Sequence, residues 1–305
     1  MIQTDELTRS FGRRLAVDRL SIEIGEAEIV GLLGPNGAGK TTTLRMIAGI
    51  IAPSSGRARI EGIDPQTEAA RVHESIGLLT ESPGFYERFS AERNLAYFAR
   101  FYSAVDVGDA VGSALDLVGL AKRARDRVGT FSKGMKQRLA LARALIHEPK
   151  VLLLDEPTAG LDPEAAKDLR VLILAFKREG RTILLSTHNL TEAEELSDRI
   201  AVLRTRLVAL DTPAALRKLQ DAPAIRIKAA QWDRAKICTI EAEPYVLDVS
   251  EEVDGVVRFH LANAERDRSR LVAQLVEAGI EILEVGEETR TLEEVYLGLV
   301  REGAP

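Results

Sequence analysis

The run Ile29-Val30-Gly31-Leu32-Leu33 carries no polar side chain, and it passes directly into Gly34-Pro35-Asn36-Gly37-Ala38-Gly39-Lys40-Thr41-Thr42. Helical spacing begins at once behind it, in Lys40 to Ile50. A run without polar side chains suits a strand buried on both faces. The adjoining glycine-rich segment fits G-x-x-x-x-G-K-[ST], with an additional glycine at 37, in the strand-then-helix context that the motif requires. Glycines let consecutive backbone N–H groups turn inward around phosphate oxygens, and a helix starting near Gly39 aims its positive end at the same point. Lys40 is then expected to reach the β- and γ-phosphates of a nucleotide, and the Thr41 hydroxyl to ligate Mg²⁺. Few folds accept such a unit. The natural one is an α/β sheet with parallel strands that binds its ligand at the carboxyl edge.

A second buried strand supplies the carboxylates that this chemistry needs. Val151-Leu152-Leu153-Leu154 is followed by Asp155 and Glu156. Alone, two acids after a strand also fit a helix cap or a solvated strand end. Beside a phosphate loop, Asp155 is placed to hold Mg²⁺ and Glu156 to polarise a water aimed at the γ-phosphate. His188 ends a third such strand, Thr182 to Thr187, and is expected to contact the γ-phosphate and the attacking water.

The chain has 305 residues, of which 45% are hydrophobic and 29% charged, as in a globular protein with full cores and room for two domains. Its net charge of −6 gives no support for a nucleic-acid partner. A single cysteine, Cys238, excludes an intrachain disulfide and fits a reducing cytosol. The first residues lack the apolar core of a signal peptide, and no apolar run reaches the ~18 residues of a membrane span. Work at a membrane would therefore need another chain as anchor. Residues 1–220 read as one domain, interrupted by a helical segment at about 84–149. Residues 221–305 restart the pattern with strands at "AIRIKA", "VVRFHLA" and "IEILEVG" and helices between and after them, as a small α/β domain.

These motifs, in this order, resemble the ATP-binding cassette ATPases, the nucleotide-binding subunits of ABC transporters. Gly34–Thr42 stands as the Walker A segment, Val151–Glu156 as Walker B, "TAGLD" with Asp162 as the D-loop and His188 as the switch histidine. The resemblance implies a P-loop NTPase core with a mixed sheet, an N-terminal antiparallel β subdomain and a helical insert, followed by the small C-terminal α/β domain. It implies that Phe11 stacks on adenine. "FSKGM", residues 131–135, occupies the place of the family signature, usually LSGGQ. There Ser132, Gly134 and the helix dipole would close over ATP held by the Walker A segment of a second ABC ATPase subunit, identical or not. Phe131 replaces the usual Leu, and Lys133 replaces a Gly; a long cation there could add charge near the γ-phosphate or simply point to solvent, and the second reading is favoured. Glu81 stands where the family has a Gln; a carboxylate there can still ligate Mg²⁺ or orient water.

The resemblance thus implies an ATPase that binds ATP and Mg²⁺, closes as a dimer and drives a separate integral membrane permease, at the cytoplasmic face of the membrane. "TESPGFYERFSAERNL" and "TLEEVYLGLV" are similar to segments of exporter ATPases for drugs, lipids or polysaccharides. Two alternatives stand beside this reading. One is a cassette ATPase without a permease, acting on ribosomes or DNA; the other is a regulatory module that holds ATP without hydrolysing it. The sequence does not name a cargo.

Overall fold

Alternating side chains build the first two strands, β1 (Ile2–Phe11) and β2 (Arg14–Ile24), an antiparallel pair that turns at Gly12-Arg13. The computed structural model describes residues 1–102, 106–217, 224–251, 255–288 and 292–302. The apolar run forms β3 (Ile29–Leu33), followed by α1 (Lys40–Ile47) and β4 (Ser55–Ile60). Then come α2 (Ala69–Ser75), β5 (Ile76–Leu79) and three helices, α3 (Ala91–Ala99), α4 (Val107–Leu117) and α5 (Lys133–Leu145). The chain returns to the sheet with β6 (Val151–Asp155), α6 (Pro163–Arg178), β7 (Thr182–Thr187), α7 (Leu190–Leu196), β8 (Arg199–Arg204) and β9 (Arg206–Asp211). The chain divides into two units, Met1–Pro213 and Ala214–Pro305.

In the first unit the central sheet has the order β5-β6-β7-β3-β8-β9. All neighbours are parallel except the last pair, a β8–β9 hairpin. Every residue of β3, β6 and β7 is buried, as expected for strands covered on both faces. The two faces feed separate cores. Leu152 and Leu154 point into one core with Leu95 of α3, Leu141 of α5 and Phe176 of α6. Val151 and Leu153 point into the other, with Leu44 and Met46 of α1 and with Ile2, Leu20 and Ile60 of the three-stranded antiparallel sheet β2-β1-β4. Hydrophobic burial of this kind contributes roughly 2 kcal/mol for each large side chain.

The second unit begins in α8 (Pro213–Leu216), whose Pro213 still belongs to the first. It continues with β10 (Ala224–Ala229), α9 (Arg234–Glu241), β11 (Val246–Glu251), β12 (Val256–Leu261), α10 (Ala264–Glu277), β13 (Ile282–Glu288) and α11 (Leu292–Glu302). Its sheet is antiparallel throughout, in the order β11-β12-β10-β13. This is a β-α-β-β-α-β arrangement in which Ile237, Ile240, Leu271 and Leu275 of the helices meet Ile225, Ile227, Phe259 and Leu261 of the sheet.

Candidate active site

Strand order assembles the site. β3 runs beside β7 up to Leu33↔Thr187, and β6 runs beside β7 up to Asp155↔Ser186. Their carboxyl ends therefore finish level, and the segments beyond those ends lie side by side: the phosphate loop after β3, Glu156 after β6 and His188 after β7. β5 is the next neighbour of β6 and leads into Glu81. Four segments far apart in the chain meet at one sheet edge because each ends a buried parallel strand. They line a cleft of about 380 Å³ with Phe11, Arg14, Ala16 and Ala159. Pro35 to Thr42 form its floor.

The phosphate loop is shaped by its glycines. Gly39 caps α1 with φ 98, and an added Cβ would collide with the Ala16 carbonyl. Only glycine takes that conformation at so close an approach. Lys40 opens the helix with its side chain 6% exposed. Its Nζ donates to the Gly34 carbonyl at 2.6 Å and to the Pro35 carbonyl at 3.4 Å, and lies 3.3 Å from Glu156 Oε1. The ammonium is thus folded over its own loop, in reach of an anion lying on the amides.

The acidic half is equally ordered. Thr41 Oγ1 and Ser186 Oγ both donate to Asp155 Oδ1, at 3.0 Å and 2.6 Å. Glu156 takes a positive φ of 49, with its N–H donating to the Ser186 carbonyl and to Ser186 Oγ, each at 3.1 Å. Held there, its carboxylate bridges two partners, Lys40 through Oε1 and His188 Nδ1 through Oε2 at 2.8 Å. A non-glycine residue in this region costs about 1–3 kcal/mol and commonly marks a functional position. The Thr41 hydroxyl and the Asp155 carboxylate are the hard oxygen donors that Mg²⁺ takes. Among the described residues no group of three or more His, Cys, Asp or Glu could hold a metal ion.

Phe11 is 48% exposed at the cleft rim, with the Arg9 guanidinium 4.6 Å from its ring centre. Ser132, Gly134 and Asp162 are not among the residues that line the cleft. Ser132 is the exposed N-cap of α5, its Oγ accepting from Met135 N–H at 3.2 Å. Asp162 caps α6 in the same way, accepting from Ala165 N–H at 2.9 Å. Lys133 is exposed but turns along its own chain: a Cβ on Gly160 would overlap its ammonium. The side chain is solvent-exposed, as expected, with its ammonium laid against Gly160 in the loop after Glu156.

The sequence did not mark Arg14, whose guanidinium overhangs Gly37, nor Ala16 and Ala159. It also passed over Gln137 of α5, which donates to the Pro157 carbonyl at 2.8 Å and ties the signature helix to the Glu156 turn. A cation three residues beyond Phe11 was the one available signal for Arg14.

A phosphate loop, an Mg²⁺-competent acid and a carboxylate–histidine pair at one parallel-sheet edge define a P-loop ATPase. The family model described as "ABC transporter" matches residues 17–159. The bacitracin transport ATP-binding protein BcrA of Bacillus licheniformis is 34% identical over 99% of this chain and 98% of its own length. Nod factor export ATP-binding protein I of Paraburkholderia xenovorans is 42% identical over 70% of this chain and 72% of its own. A solved structure of an ATP-binding subunit of an ABC transporter superposes with a TM-score of 0.65 at 29% identity, over 72% of this chain and 92% of that one. The chain belongs to the ATP-binding subunits of ABC transporters, and it is an ATPase of that family.

Proposed function

We propose that this chain is the motor subunit of an ABC exporter, in which ATP binding closes two ATPase subunits and hydrolysis reopens them. The observation that carries the hydrolytic part is Glu156 standing between Lys40 at 3.3 Å and His188 at 2.8 Å, at the edge where the phosphate loop begins. The triphosphate would lie on the loop amides from Gly34 to Thr42, with Phe11 against adenine and Arg14 over the loop. Lys40 would pair with the β- and γ-phosphates. Glu156 would accept a proton from the water that attacks the γ-phosphorus as the bond to the β-phosphate oxygen breaks, giving ADP and phosphate. His188 orients Glu156 and donates to the γ-phosphate. Mg²⁺ held by Thr41 and Asp155, with Glu81 beside them, would neutralise charge on the phosphate tail.

Closure would use a second copy. Ser132, Gly134 and Asp162 lie outside the cleft of their own chain, and the exposed head of α5 presents the kind of positive helix end that completes an anion site. A state in which ATP touches both subunits is favoured by ATP and loses that bridge on hydrolysis. Among the described residues no helix is long and apolar enough to cross a membrane. A separate integral membrane permease would therefore carry the cargo, with this subunit at its cytoplasmic face. Its docking segment would enter the groove of about 620 Å³ between the helical insert and the sheet, lined by Ile50, Phe98, Phe101 and Arg143. The name of the Nod factor export relative supports export over import.

The test is Glu156→Gln in the purified protein. The amide preserves size and removes the base. Phosphate release is expected to fall by about two to four orders of magnitude, while ATP is still bound. Steady-state release at the wild-type rate would remove Glu156 from the chemistry.

A further inference from the structure

One buried carboxylate takes no part in the scheme above. Glu192 lies in the first turn of α7, 1% exposed, with both oxygens engaged. Thr158 Oγ1 donates to its Oε1 at 2.8 Å and Thr187 Oγ1 donates to its Oε2 at 2.6 Å. Burial pushes its carboxyl above the usual range, against the pull of those two hydroxyls; nearby Glu156 pushes the same way and Arg170 of α6, paired with Glu195 at 2.8 Å, opposes. A group this costly to bury is poor material for stability alone, since an apolar residue would fill the space more cheaply.

Its two partners are telling. Thr158 is two residues beyond Glu156, and Thr187 immediately precedes His188. The Thr187 hydroxyl also accepts the Asn189 N–H at 3.0 Å, and the Asn189 side chain accepts the Glu192 N–H at 3.2 Å. His188 is therefore flanked on both sides by backbone that answers to Glu192. Its own side chain is 57% exposed, so packing does not hold it. The Glu156 turn is held by its own N–H, by the Ala159 N–H on the Glu156 carbonyl at 3.1 Å and by Gln137 on the Pro157 carbonyl at 2.8 Å, and Thr158 is where α7 grips it.

We propose that Glu192 is a positioning residue that fastens the turn bearing Glu156 to the turn bearing His188, and so sets the distance between those two groups. The inference rests on the roles given above to Glu156 and His188. Each carboxylate oxygen serves one turn, so a shift of either turn is transmitted through a single rigid planar group. Reactions that depend on near-attack geometry lose rate steeply with such shifts while ligand binding elsewhere on the phosphate loop persists. Nothing in the link requires charge, only two hydrogen-bonding atoms in one plane.

The experiment compares full-length Thr187→Val, Glu192→Ala, Glu192→Gln and Glu156→Gln, assayed well below the melting temperature of each. Steady-state phosphate release gives kcat and KM, and equilibrium binding of ATP is measured separately. Thr187→Val, which keeps the shape of the side chain, is expected to lower kcat by about 10- to 100-fold with KM and ATP affinity within about twofold. Glu192→Ala should do the same or more. Glu192→Gln should stay within about threefold of wild type, because an amide accepts from one hydroxyl and donates to the other. Wild-type kcat in Thr187→Val, or a Glu192→Gln loss equal to that of Glu192→Ala, overturns the proposal, provided Glu156→Gln is inactive. Normal turnover in Glu156→Gln would instead overturn the site reading, and this inference with it.

Discussion

Gly39 and Gly12 both take positive φ, 98 and 58, yet the space around them differs completely. A Cβ at 39 would meet the Ala16 carbonyl and the Val17 side chain, whereas at 12 it would meet nothing within 4 Å. Gly39→Ala is therefore expected to cost about 2 kcal/mol or more and to displace the start of α1, where amides and Lys40 face the cleft. Gly12→Ala should cost about 1 kcal/mol and leave binding alone. Melting curves with and without ATP separate the two: Gly12→Ala keeps the ATP-induced rise in melting temperature and Gly39→Ala loses it. Equal losses in both variants would mean that backbone strain alone, not the packing of the phosphate loop on β2, decides the effect.

At the scale of the element, α5 carries the signature head at one end and leads, just beyond the other, into a half-buried aromatic stack. The His147 ring stacks on Tyr102 at 3.9 Å, and its Nε2 lies 2.9 Å from the Ile76 carbonyl, which makes that nitrogen the donor and leaves Nδ1 buried without a partner. Burial holds the His147 pKa below its ordinary value, with the Ile76 bond opposing. The unfolded chain takes up this proton as pH falls below about 6.5 while the folded chain resists it, so the contribution is present above that pH and is lost below it. Thermal melts at about pH 7.5 and pH 5 should show a smaller acid loss in His147→Phe, which keeps the stack, than in wild type. An equal loss in both would assign the acid sensitivity to other groups. Such pairings were closed to the sequence, as were some elements. α2 buries only Val72 and so has no apolar stripe to read, and β11 exposes Leu247 where alternation would bury it. Lys40, Asp155, Glu156 and His188 were legible because each sits in a local pattern at the end of a buried strand. Arg14, Ala159 and Glu192 were not, because they arrive through a hairpin, a turn after a positive φ and a helix face, none of which has a motif of its own. Lys133 was legible as a departure, but its direction depended on Gly160 offering an open face.

For the whole molecule, the decisive question is whether a cleft is completed by its own chain or by another. Ser132 and Gly134 sit at the head of α5, outside the cleft that Lys40 lines. If completion is reciprocal between two identical chains, each ATP meets Lys40 of one copy and Ser132 of the other. Lys40→Ala and Ser132→Arg should then each be inactive alone, the first for want of phosphate contact and the second because a bulky cation blocks closure. Mixed in equal amounts they form hybrid dimers. In a hybrid, one site joins both defects, while the other joins the intact Lys40 of one chain to the intact Ser132 of its partner. Random pairing makes half the dimers hybrid with one good site in two, so activity should recover to about a quarter of wild type. Phosphate release from the mixture, measured against each variant alone, reads this directly. If the signature head served its own chain, every chain in the mixture would carry one lethal defect and no recovery could occur. A double variant carrying both changes, mixed with wild type, tests the same geometry from the other side: its hybrids have each site damaged once, and they should contribute nothing.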